Sequence, residues 1–283
     1  MGAGWTVPGR LVAWHSGGVL VTRIGYTALK GARHLARPAL HLGPEGPDGD
    51  RVLCLVDVAS GRVLRTVENP SLLQTSVRWE DGVLTATLPG TTVEGVPTRI
   101  GDGRTFDYWG RRVALELVEG PWAAAYSAHL GYDVALARAR AGEVVYGASV
   151  SLITSGSLDE LARRLGSPVA DAQLRATFTV GTDGPHHEDA WIGRRLALGD
   201  AEIEVRGPIP RCRVIDLDPH TGAVRADVLR ALAGYRRRPG GAMFGVDAVV
   251  IRPGRVLVGD RVSAGGATHR TTDTQRRPPP AQN

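Results

Sequence analysis

Two cysteines, Cys54 and Cys212, are the only thiols among 283 residues. Two thiols cannot build the disulfide framework of a small secreted protein, and they cannot hold an iron–sulfur cluster, which typically takes four. Aromatic residues make up 5% of the chain, which is poor for stacking on bases. No helix-turn-helix, zinc-finger or aromatic RNA-binding motif is present, so nucleic acid is not an expected partner. No run of 18 apolar residues occurs, so no membrane span is expected. The start lacks a cationic segment followed by a long apolar stretch and a small-residue cleavage site, so no signal peptide is read. These absences lead to an expectation of a reducing, cytoplasmic location.

The composition is otherwise that of an ordinary globule, 42% hydrophobic and 22% charged. The net charge is +5, supplied almost wholly by arginine. A basic chain without nucleic-acid motifs suits a local site for an anionic, phosphate-bearing ligand. Short apolar runs separated by turn signals predict a mainly β (α+β) fold, barrels rather than a wound parallel sheet, with three short helices. Val52–Val56 reads as a buried strand with Arg62–Thr66 pairing back across Ser60-Gly61, and Trp79–Leu88 as a hairpin turning at Asp81-Gly82. Pro121–Leu130 is a helix closed by Gly131. Ser157-Leu-Asp-Glu160 reads as a capping box opening a helix that ends at Gly166. Ala226–Arg237 is the third helix. Ala248–Ile251 and Arg255–Val258 read as a hairpin around Pro253-Gly254.

The residue with the most chemistry is Cys212, in Arg206-Gly-Pro-Ile-Pro-Arg-Cys-Arg-Val-Ile-Asp216-Leu-Asp218-Pro-His-Thr-Gly222. By residue type it reads equally as a small core hydrophobe or as a reactive thiol held between two arginines. A thiolate is a soft ligand for a soft or redox-active metal. Simple alternation puts Arg211 and Arg213 on the face opposite the thiol, and Asp216 on its own face. Asp218 reads as a turn residue accepting backbone amides. His186-His-Glu-Asp189 looks like a metal cluster, but adjacent histidines of a strand point apart. Cys54 reads as core.

The order of motifs resembles that of the MOSC domain, the module at the C-terminus of molybdenum cofactor sulfurases. Trp191-Ile-Gly-Arg-Arg-Leu-Ala-Leu-Gly199-Asp200, the Arg211-Cys212 pair, the Asp218-Pro-His-Thr-Gly222 turn, Phe244-Gly245-Val246 and Pro253–Val262 follow the family order. Val150–Leu158 resembles the family's strand-turn-helix entry. Ile24–Gly31, Asp50-Arg51, Leu55-Val-Asp57 and Asn69-Pro70 resemble landmarks of the β-barrel that precedes many MOSC domains. The resemblance implies two β-barrel-like halves with a cleft between them: an N-terminal barrel over 8–118, a MOSC domain over 119–265 and a disordered tail over 266–283.

The resemblance further implies a molybdenum cofactor, a pterin dithiolene with a terminal phosphate. Cys212 is then the metal ligand and catalytic residue. Lys30 and Arg51 stand at the family's cationic positions, Thr154 and Ser155 at its strand-end hydroxyl, and Arg175 and Thr177 in its pterin-edge element; Arg211 joins them as a further cofactor-binding candidate. The family's Pro, Ser and Asn are here Ala28, Gly31 and Thr177. An oxidoreductase acting on N-oxygenated small molecules, hydroxylamines or amidoximes, is implied, with an external electron donor such as a reductase or ferredoxin-type protein. The alternative is a sulfur or cofactor carrier using a Cys212 persulfide. Pyridoxal phosphate, which serves the sulfurases through a separate domain, is not expected.

Overall fold

The computed structural model describes residues 19–267. The ragged start expected over 1–7 lies outside these residues. Of the tail expected over 266–283, residues 266 and 267 belong to the strand Val262–Ala267 and the rest lies outside the described residues. Strands dominate, and the described residues hold four α-helices, one more than expected, because Asp171–Leu174 forms a single further turn.

The largest sheet has nine strands, eight of them along one path. Its order is Leu35–Arg37, Val21–Tyr26, Phe178–Val180, Val150–Thr154, Gly241–Arg252, Ala201–Arg211, Arg194–Leu198, Val262–Ala267. Val150–Thr154 runs parallel to Phe178–Val180 and antiparallel to Gly241–Arg252. A closed barrel is built from Thr98–Tyr108, Arg111–Glu119, Val134–Arg138, Leu53–Asp57 and Arg62–Val63. Closure removes the exposed edges that would otherwise pair with other chains. Two three-stranded sheets complete the body.

The two halves of the sequence interleave. Val21–Tyr26 is hydrogen-bonded to Phe178–Val180, and Val134–Arg138 closes the barrel against Leu53–Asp57. The hairpin expected around Pro253-Gly254 does not form. Gly254–Leu257 instead pairs with Ala39–Gly43, a partner more than two hundred residues away that local turn chemistry cannot announce.

Two local features position the site. The register between Ala201–Arg211 and Gly241–Arg252 slips at three places, the last between Pro208 and Pro210. Bulges and strand prolines bend a strand and end its pairing, so the strand stops at Arg211 and leaves Cys212 outside it. The helix Ser155–Leu165 begins earlier than the capping box suggested. Thr154 is the N-cap, and its Oγ1 accepts from the Ser157 amide. Gly156 sits where a side chain would strike the Gly184 carbonyl, 2.3 Å from an ideal Cβ, which fixes this turn against the neighbouring loop. Glu160 is free of any capping duty and pairs with Arg163 and Arg164.

Candidate functional site

A cavity of about 190 Å³ is bounded by both the barrel and the large sheet. Its wall brings together Lys30, Arg51, Arg65, Arg175 and Arg211, with Asp247 as the single carboxylate, and Cys212 at one end. A second cavity, of about 510 Å³, adjoins it, and Arg65, Val67, Trp109 and Cys212 line both. The thiol therefore stands at the neck between an inner cationic chamber and a larger outer one.

Each inner cation is delivered by an identifiable backbone device. Arg51 has φ of 51° and Arg175 φ of 54°. The left-handed region costs a non-glycine residue about 1–2 kcal/mol, and such strain collects at functional sites. The two residues are clasped together: Arg51 Nη2 donates to the Arg175 carbonyl at 2.9 Å. Arg51 Nη1 reaches Asp50 at 2.6 Å, while Asp50 accepts from the Thr27 amide at 2.8 Å. Arg211 does not point away from the thiol face into solvent, as strand alternation suggested. Its Nε donates to the Phe244 carbonyl and its Nη1 to the Leu174 carbonyl, each at 2.8 Å. Gly245 allows this approach: an ideal Cβ there would lie 3.2 Å from Arg211 Nη2 and 2.5 Å from the Leu152 carbonyl. Arg211 Nη2 itself is buried and makes no hydrogen bond. A buried donor without an acceptor is costly, and this one belongs to a side chain on the cavity wall.

Lys30, the one lysine in the sequence, stands over the Tyr108 ring at 4.9 Å. Arg111 stands over the same ring, also at 4.9 Å. Burial, and then the charges of Arg175 and Arg51, lower the Lys30 pKa to about 8. Burial lowers Arg175 to about 9, with Arg51 adding to the effect, and Arg211 to about 10. His34 lies behind this group and is held neutral by burial and by Arg51, Arg175 and Arg23. In each case burial is the first cause, and neighbouring cations add to it at Lys30, Arg175 and His34.

Five of the expected site residues thus converge: Lys30, Arg51, Arg175, Arg211 and Cys212. Three do not. Thr154 is fully buried and donates to Glu188 at 2.6 Å. Ser155 Oγ donates to the Thr182 carbonyl and accepts from the Thr182 amide. Thr177 Oγ1 accepts from the Ser151 amide at 3.1 Å. These three hydroxyls bond to neighbouring protein groups, and none lines either cavity; Ser151, across from Thr177, lines the inner one. Asp216 faces the helix Val228–Arg236, accepting from the Leu229 amide at 2.7 Å, rather than the thiol. Asp218 accepts from the amides of His220 and Thr221, as a turn residue should. The stretch from His186 to Asp189 gathers no metal-binding cluster among the described residues. Cys54 is core, fully buried in the barrel, with its thiol pushed up to about 12 by burial.

Sequence reading missed Arg65, Tyr108 and Trp109. The two aromatics sit at the hairpin between Thr98–Tyr108 and Arg111–Glu119. Trp109 has φ of 56° and Gly110 of 73°, the pattern of a type I′ turn, which prefers Asn or Gly at its first position. A tryptophan there is the one signal the sequence offered, since Tyr-Trp-Gly-Arg breaks the usual turn chemistry.

Comparison with known proteins finds relatives of part of the chain. The family profile for the MOSC domain matches residues 129–263. A molybdenum cofactor sulfurase of Caenorhabditis briggsae is 33% identical over 124 residues, covering 43% of this chain and 17% of the sulfurase. Mitochondrial amidoxime reducing component 2 of Rattus norvegicus is 30% identical over 122 residues, covering 40% of this chain and 36% of that protein. The Bos taurus protein of the same name is 24% identical over 242 residues, covering 74% and 71%. The matches thus span a small part of the sulfurase and about a third of the rat protein. A solved structure, the YUAD protein from Bacillus subtilis, aligns with 13% identity and a TM-score of 0.43, covering 86% of this chain and 93% of its own. Arg175, Arg211 and Cys212 all fall inside the matched segment, and residues 129–263 are a MOSC domain.

Proposed function

We propose that this chain binds a molybdenum-bearing pterin cofactor in the inner cavity, with Cys212 as metal ligand, and reduces N-oxygenated small molecules. One observation carries this reading: five cationic side chains, Lys30, Arg51, Arg65, Arg175 and Arg211, share a small chamber with one thiol and a single carboxylate. Such a donor set fits a ligand that is anionic at one place and soft-metal-bearing at another. Arg211 Nη2 is buried beside Gly245 without a hydrogen-bond partner, which adds to the excess of donors around the chamber. Thr177, buried against Ser151, leaves the pterin edge to other groups, with Ser151 the nearest hydroxyl on the wall.

Lys30, Arg51, Arg175 and Arg211 would hold the anionic parts, and Cys212 the metal. When bound, the group supplies two-electron oxygen-atom chemistry. The net reaction, R=N–OH + 2e⁻ + 2H⁺ → R=NH + H₂O, needs an external reductant and two protons. The protein's contributions are its own: cationic walls that hold negative charge out of water, a neck that brings a second molecule beside the thiol, and Lys30 to carry a proton near neutral pH.

Metal analysis of the full chain, purified from a host that makes the cofactor, tests this. About one molybdenum per chain is expected, and it should be lost in Cys212→Ser with the fold intact. A folded wild-type protein without molybdenum sinks the reading. Sulfane sulfur on Cys212 in that metal-free protein replaces it with the carrier function.

A further inference from the structure

Arg65 and Trp109 stand where the two cavities meet. Arg65 lays its guanidinium over the Trp109 ring, 4.6 Å from the centroid. Its Nε donates to Glu68 at 2.7 Å. Both Arg65 and Trp109 line the inner and outer cavities, and Glu68 lines the outer one. The Tyr146 ring, on the wall of the inner cavity, leans on Trp109 at 6.4 Å between centroids and 59° between planes.

An aromatic face with a carboxylate at its edge is the chemistry that recognises a flat, delocalised cation: the π-cloud attracts the charge and the carboxylate takes the N–H groups. Trp109 is kept in that place against its backbone preference. Its hairpin turn is pinned by Asp107, which accepts from the Gly110 amide at 2.7 Å, and asparagine would fill the same conformation without strain. A bulky ring held where a small residue is preferred, at the junction of two cavities, marks a position selected for its surface rather than for its turn.

We propose that the Trp109 face and the Glu68 carboxylate form a binding site for planar cations of the amidine or guanidine class, and that Arg65 is its internal place-holder. An incoming amidinium takes the position of the Arg65 guanidinium, which swings aside and opens the passage from the outer cavity to Cys212. The inference rests on the reading above only in that such a cation is the product class of an N-oxygenated amidine. The site itself needs no cofactor.

The test uses the full chain without added cofactor and two probes differing in the shape of the charged head. Benzamidine is planar and benzylamine tetrahedral. Calorimetric titration should show benzamidine binding about tenfold more tightly than benzylamine. Trp109→Asn should weaken benzamidine about tenfold while leaving the melting temperature unchanged or higher. Arg65→Gln, which removes the competitor, should tighten it about tenfold, and Glu68→Gln should weaken it several-fold. Equal affinity for the two probes overturns the proposal. So does a Trp109→Asn protein that binds as wild type does, or an Arg65→Gln protein that binds no better. Should Trp109→Asn fail to fold, Trp109→Phe takes its place, with an affinity between wild type and complete loss expected and full wild-type affinity counting against the site. Molybdenum content is measured alongside. Benzamidine binding in metal-free protein would leave this site standing while the cofactor reading falls, and a molybdenum-loaded protein indifferent to head shape would do the reverse.

Discussion

Two polar clusters among the described residues are put together on opposite principles. The first surrounds Glu188, which is fully buried. It accepts from Thr154 Oγ1 at 2.6 Å and from Ser157 Oγ at 2.8 and 2.9 Å, and Ser157 accepts in turn from the His186 amide at 2.8 Å. Burial raises the Glu188 pKa, and the two hydroxyls oppose that rise. The second cluster is the cationic chamber, where Lys30, Arg51, Arg65, Arg175 and Arg211 face one wall carboxylate, Asp247. The first cluster is closed on itself and ties a strand end to the start of a helix. The second leaves charge and at least one donor uncompensated, and uncompensated charge inside a protein is a cost to the fold that a ligand can relieve.

This contrast can be broken by substitution. Glu188→Ala removes the acceptor of two buried hydroxyls and opens a void, so it should lower unfolding free energy by about 3 kcal/mol, with molybdenum content per folded chain unchanged. A larger effect on metal than on melting would overturn the division between the clusters. Lys30→Met acts in the opposite direction. The Lys30 pKa is about 8 in the folded chain against an ordinary 10.5. The penalty for burying its charge is therefore complete below pH 8, relieved between pH 8 and 10.5, and absent above. Cofactor-free Lys30→Met should be more stable than wild type at pH 7 by on the order of 2 kcal/mol, a gain that fades by pH 10.5. Because Lys30 is the only lysine, reductive ¹³C-methylation followed by NMR titration reads it directly. A midpoint above pH 10 would sink the argument.

Smaller effects sharpen the picture. Arg211→Met gives up two hydrogen bonds to the Phe244 and Leu174 carbonyls but also one orphan donor and one buried charge. It should change stability by less than about 1 kcal/mol while weakening inorganic phosphate or molybdate binding about tenfold. Unchanged anion affinity would argue that Arg211 is only a strut. Thr177→Val, at a residue placed by sequence in the cofactor site, should cost about 1 kcal/mol through its lost bond with Ser151 and leave molybdenum content alone.

The residues legible in the sequence were those tied to a local motif. Arg211-Cys212 after Pro208-x-Pro210 was visible because a bent strand end is written into adjacent residues. Lys30 and Arg51 were visible only through resemblance, since nothing local places them opposite residues 175 and 211. Thr154, Ser155 and Thr177 were misplaced for a common reason. Hydroxyls at strand ends suit a ligand and a helix cap equally, and the deciding partners, Glu188, Thr182 and Ser151, lie up to 34 residues away in sequence. Arg65 and Trp109 escaped because their meeting depends on barrel closure, which sets Arg62 beside Asp107. The false hairpin at Pro253-Gly254 failed similarly, as the true partner of residues 254–257 is the strand Ala39–Gly43.

The interleaving of strands has a consequence for how such a chain comes into being. Lys30 and Arg51 are made well before residues 175 and 211, but the strand Val21–Tyr26 finds its neighbour only when Phe178–Val180 has been made, and Ala201–Arg211 is held in register by Gly241–Arg252. Pairings this distant form slowly. The chamber consequently has no earlier, half-finished form that could be charged during translation. A guest that needs the whole chamber must arrive after synthesis has passed residue 252, when mutually repelling cations have already been forced together.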